Sequence, residues 1–173
     1  MHRLDKDATV YNYTLVKRIR HRPLPLLLYG VLPLPAALFM AVSVSPWSLL
    51  WIAAALVLLP MLYGGMTALY LKQHGSNQRG PWTFAVRWPW LGLLPEQHTP
   101  LKTVVRIHDH ILWVGLAVIG CFYPWLPTPY WIAWLALHVW YLIPRFWIFL
   151  LLRRSKKNGL LKINPRDTSF YVE

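Results

Sequence analysis

A chain of 173 residues that is 56% hydrophobic and 14% charged, with 11 Trp and a mean hydropathy of +0.35, is excluded from the range of ordinary soluble domains and reads as one polytopic membrane domain. The formal charge of +12 could signal nucleic acid, but six basic residues fall within 1–22, five between Lys72 and Arg106, and six between Arg153 and Arg166, whereas the short connections at Ser45–Pro46 and Tyr123–Tyr130 carry none. That asymmetry is what the positive-inside rule produces, so the charge points to orientation and to acidic phospholipids at the cytoplasmic leaflet, with no nucleic acid favoured.

Residues 1–22 form a basic cytoplasmic arm. Its end, from about Asn12, is expected either to lie as a short helix on the membrane surface or to serve only as a topological anchor. Residues 23–71 make a first transmembrane hairpin. Its first span, Leu24 to Ser43, contains Pro33 and Pro35, which remove two internal donors and predict a kink near the middle. A basic start, an apolar run and Ala41-Val42-Ser43 also resemble a signal peptide, but the basic lead of 22 residues and the continuing apolar chain oppose that reading. The second span is Trp47 to Leu71. Ala37 with Ala41, and Gly64 with Ala68, are small residues four apart that let helices approach in lipid.

Residues 72–106 form a long, Trp-rich cytoplasmic connection. Its segment 81–95 carries Trp82, Trp88 and Trp90 and is too short to cross. It is expected to lie at the headgroup level or to dock on a partner. Residues 107–152 make the second hairpin, with spans from Ile107 to Tyr123 and from Tyr130 to Leu152, and 153–173 form a basic, partly mobile cytoplasmic tail with a turn at Asn164-Pro165. The predicted fold is therefore all-α: four transmembrane helices as two hairpins, both termini cytoplasmic, in the inner (cytoplasmic) membrane. A parallel repeat of the hairpins is one reading of the matches Val16, Arg18 and Ile19 with Val104, Arg106 and Ile107, and of Trp47, Pro60, Lys72 and Gly75 with Trp131, Pro144, Lys156 and Gly159. Chance in a biased composition is its rival.

The second hairpin holds the ionisable residues that fall within or against an apolar span: His108, Asp109, His110, His138 and Arg145. His138, Tyr141 and Arg145 share one helix face. A turn centred near Leu126 or Pro127 puts Asp109 level with Arg145, and Leu116 level with His138, so an Asp109–Arg145 ion pair is expected. This set admits a structural role, an anion or headgroup site, or a proton path. His108 and His110 point about 200° apart on a helix and cannot share a metal, no second histidine matches the depth of His138 for a haem, and no nucleophile motif is present, so neither metal nor cofactor is expected. Cys121 stands alone, which excludes an intramolecular disulfide.

Three functions follow in order. The first is a non-enzymatic integral subunit of a larger inner-membrane assembly of transport or secretion type, with other membrane subunits as partners. The second is a small carrier or channel, homo-oligomeric, using Asp109, His138 and Arg145. The third is an enzyme acting on a phosphorylated lipid at the cytoplasmic face, with Asp109 and His108 or His110 as acid and base.

Overall fold

The structure, a computed structural model, describes residues 13–74, 81–153 and 159–172. Most of the basic arm, the polar turn 75–80, residues 154–158 and, with them, the Gly75 and Lys156 positions of the repeat match lie outside the described residues.

Among the described residues four helical segments are long and apolar enough to cross a membrane: Pro23–Ser43, Ser48–Gln73, Leu101–Cys121 and Thr128–Arg153. The first divides into α1 (Pro23–Val31) and α2 (Pro33–Ser43). Pro33 and Pro35 supply no N–H and crowd the carbonyls behind them, so the expected kink is a break at Leu32, whose N–H reaches only the Tyr29 carbonyl at 3.2 Å. α3 (Ser48–Gln73) buries Ile52, Ala55, Leu59, Tyr63, Met66 and Tyr70, a single stripe at three- and four-residue spacing. At 26 residues it is about 39 Å long, more than a hydrocarbon core requires. α4 (Leu101–Cys121) starts earlier than the expected Ile107 because Leu101 and Val104 continue its buried stripe beyond the apolar run. α5 (Thr128–Arg153) packs against α3 and α4.

The chain is not all-α. The basic arm contains β1 (Thr14–Arg20) rather than a surface helix, and the tail contains β5 (Leu160–Ile163) and β6 (Asp167–Val172) rather than a mobile end. With β4 (Thr99–Pro100) they form an antiparallel sheet in the order β1-β6-β5-β4. Thr14 pairs with Val172 and Arg20 with Asp167, around a bulge between Leu15 and Lys17. Thr14, Val16 and Ile19 are β-branched, and beyond the bulge Lys17 and Ile19 are more covered than Arg18 and Arg20, the alternation of a half-buried strand. Gly159 is needed at the tail's entry to the sheet, because a Cβ there would overlap the Phe170 ring.

A second correction concerns the Trp-rich connection, which folds as a β-hairpin, β2 (Trp82–Arg87) and β3 (Trp90–Pro95), turning at Trp88 and Pro89 through a cis peptide bond. It docks on its own chain. Trp90 is buried and donates to Thr168 of the terminal sheet, joining Leu94, Leu101, Phe149, Leu161 and Phe170 in a second core. Gly92 adopts φ +114°, conformational space open mainly to glycine, and lies against Pro60, Tyr63 and Gly64 of α3, while a Cβ at Gly64 would stand 3.0 Å from the Phe84 ring. Gly64 thus admits the hairpin onto α3, instead of pairing with Ala68, which is exposed; Ala37, by contrast, does pack in the helical core. The Val16–Ile19 and Val104–Ile107 segments matched as a repeat prove to be a strand and a helix.

Candidate functional site

Five polar residues of α5 form one column. Trp131, Trp134, His138, Tyr141 and Arg145 recur at spacings of three and four, so they share a face. Each donates to a backbone carbonyl of a neighbouring element. Trp131 Nε1 reaches Ile119 of α4 at 3.0 Å, Trp134 Nε1 reaches Trp51 of α3 at 3.1 Å, and the Tyr141 hydroxyl reaches Leu56 of α3 at 3.0 Å. A carbonyl already engaged within its helix keeps a second lone pair, so these bonds tie helices together without unwinding them.

His138 sits in the middle, with no exposed surface. Its Nε2 is 3.2 Å from the Leu112 carbonyl and its Nδ1 is 2.9 Å from the Tyr63 hydroxyl. A carbonyl only accepts, so Nε2 carries the proton and Nδ1 accepts from Tyr63. Gly115 opposite is obligatory, because a Cβ there would stand 2.8 Å from Nε2. One imidazole thereby fastens α5 to both α3 and α4.

Arg145 ends the column and is 1% exposed. Its Nε donates to the Pro89 carbonyl at 3.0 Å and its Nη2 to the Leu91 carbonyl at 2.6 Å. Nη1 lies 3.4 Å from His108 Nε2, and the guanidinium carbon lies 5.6 Å from the centre of the Tyr63 ring. His108 Nδ1 donates to the Val104 carbonyl at 2.8 Å, which leaves Nε2 as the acceptor that faces the arginine. Arg145 is eight residues from the end of α5, so the hairpin tip reaches roughly 12 Å along the helices. Non-helical backbone at such depth persists only where protein satisfies its polar groups, and Arg145 does this for two tip carbonyls. Two buried indole N–H groups, on Trp88 and Trp140, have no partner among the described residues, and their rings stack at 4.7 Å.

The expected Asp109–Arg145 pair does not form. Asp109 is exposed and faces a groove with Arg106 and Arg153, while its neighbour His108 takes the inward position. The observed level differs by one residue from that counted from the turn, and one residue turns a helical side chain by about 100°. His138 likewise meets Leu112 and Gly115 rather than Leu116. His110 is exposed, its ring 5.5 Å from that of Tyr70. Among the described residues the one salt bridge is Arg18–Asp167, at 3.2 Å between β1 and β6, and no three His, Cys, Asp or Glu side chains are grouped to hold a metal.

Sequence reasoning placed His138, Tyr141 and Arg145 on one face but missed Tyr63, Gly115, Trp131 and Trp134. The two tryptophans continue the same spacing and were legible; Tyr63 and Gly115 belong to other helices and carried no local signal. A cleft of about 540 Å³ separates the hairpin from the terminal sheet, with His21, Glu96 and Asn164 among its walls. Burial pushes the His21 imidazole below its ordinary range, against the opposing pull of Asp167, and its Nε2 is 3.0 Å from the Thr168 hydroxyl. No family model, curated protein or solved structure matches the chain.

Proposed function

We propose that the chain is a non-enzymatic integral subunit of a larger assembly in the inner membrane, of transport or secretion type, crossing as two helical hairpins with both termini in the cytoplasm. The observation that carries this reading is how little of the first span the chain itself covers. Only 6% of its most apolar window is buried, and Ala37 is the one buried residue of α1 and α2. Leu27, Leu28, Leu38 and Phe39 all face outward. A partner helix or lipid must cover them, since water cannot.

The polar column supports the same reading from the other side. Arg145, His108 and His138 are engaged in bonds that hold the fold, so a carrier built on His138 and Arg145 would have to break its own core to bind cargo. The strands adjoin α1, α4 and α5 at the ends where the basic residues concentrate, which suits a cytoplasmic β layer. Among the described residues the outer edge of β1 has no paired strand, and such an edge can take a further strand.

Purification in a mild detergent, with mass spectrometry of whatever accompanies the chain, tests the proposal. A second membrane protein in fixed ratio is expected. The chain alone, as a monomer or as a homo-oligomer, contradicts it.

A further inference from the structure

Between the sheet-proximal ends of α4 and α5 lies a groove of about 450 Å³. Lys102, Arg106 and Asp109 line it from α4, spaced four and three apart and hence on one stripe. Phe146, Leu150 and Arg153 line it from α5 with the same periodicity. Because Cβ atoms lean toward a helix's N-terminus and the two helices run in opposite directions, the α4 side chains lean toward the mouth while Arg153 leans back into the groove. The three cations thus line one groove from two helices. Among the described residues none of them makes a salt bridge or hydrogen bond to the protein, although the charge of Arg153 is felt at Asp109.

The α5 wall opposite is apolar: counted from the helix ends, Leu150 lies near the level of Arg106 and Phe146 near that of Asp109, with Val105 beside them on α4. Cations on one wall and at the mouth, facing aromatic and aliphatic side chains on the other wall where the helices leave the membrane, match an amphiphile with an anionic head and an acyl tail. We propose that this groove binds an anionic phospholipid. Its phosphodiester sits between Lys102, Arg106 and Arg153, and one acyl chain lies along Val105, Phe146 and Leu150. Asp109 offsets one of the three positive charges, leaving enough charge for a monoanionic head. The inference requires that α4 and α5 cross a membrane and is independent of any partner subunit.

Native mass spectrometry of the full chain in non-ionic detergent tests it, with phosphatidylglycerol and phosphatidylcholine of identical acyl chains as probes. Phosphatidylglycerol should be retained over phosphatidylcholine. R106Q/R153Q should lower that retention roughly thirtyfold, the sum expected for two basic residues at an anionic lipid surface. R20Q/R166Q removes the same charge from exposed positions on β1 and on the turn between β5 and β6 and should leave retention unchanged. Far-ultraviolet circular dichroism confirms that each variant keeps its helices. Equal retention of the two lipids, equal loss in both double variants, or displacement of the lipid by inorganic phosphate would overturn the proposal; the last would mean a site for a free anion.

Discussion

The column on α5 and the terminal sheet both join segments far apart in sequence, and they do so with opposite chemistry. Along α5, neutral indole, imidazole and phenol groups and one guanidinium donate to backbone carbonyls, with no carboxylate taking part. In the sheet, a backbone ladder is reinforced by the Arg18–Asp167 pair, and His21 and Asp167 titrate nearby. Within apolar spans a second charge would need its own desolvation, whereas a helix carbonyl is already present and already partly satisfied. At the sheet, where Arg18 is half exposed, water screens the pair and makes it weak and adjustable.

The largest expected effect comes from removing the charge at the end of the column. Arg145→Met leaves the Pro89 and Leu91 carbonyls buried without a donor and should cost about 2–4 kcal/mol, read as a lower midpoint in thermal unfolding in detergent. Gly115→Ala follows, because its methyl group overlaps the His138 ring and forces α4 and α5 apart. It should cost about 1–3 kcal/mol, and an unchanged midpoint would show that the ring can move aside.

The smallest effect is on the sheet, in acid. The folded state holds the His21 imidazole below its usual value of 6.5 through burial, so the unfolded chain binds the extra proton first; its contribution is complete above that value and is lost as the pH falls. For Asp167, burial alone would raise the carboxyl, but hydrogen bonds from Ser169 and Asn164 and the charge of Arg18 outweigh it and hold it below 3.8. Its contribution is present above that value and fades as the pH falls through the folded one. Both signs agree, but between pH 7 and 4 the His21 contribution acts and the Asp167 contribution joins it only below 3.8; hydrogen exchange at residues 160–172, corrected for intrinsic rates, should quicken as pH drops from 7 to 4 and further below 3.8. Exchange independent of pH would contradict this.

The spans were legible because hydropathy and length are local quantities, and Pro33 and Pro35 announced their own break. Depth along α4 and α5 was nearly legible too, since counting from the turn brought residue 145 to within one position of its true neighbour. Azimuth was not: a single residue decided between His108 and Asp109, and no composition rule resolves 100° on a helix. The strands were missed for another reason. Thr14 to Arg20 finds its partner at Asp167 to Val172, across nearly the whole chain, and a basic strand with an unequal alternation resembles a basic arm until that partner is known. The tip of the Trp-rich hairpin was hidden because its need for Arg145 arises only once both have folded.

The central claim is that Arg145 holds the Trp82–Pro95 hairpin among the helices instead of serving a ligand. Hydrogen exchange on the wild type and on Arg145→Met, resolved to residues 82–95 and 160–172, tests it most directly. Exchange in the hairpin should quicken roughly thirtyfold, as a loss of ~2 kcal/mol implies, while the terminal sheet is unchanged. Undiminished protection of residues 82–95 in the variant would contradict it.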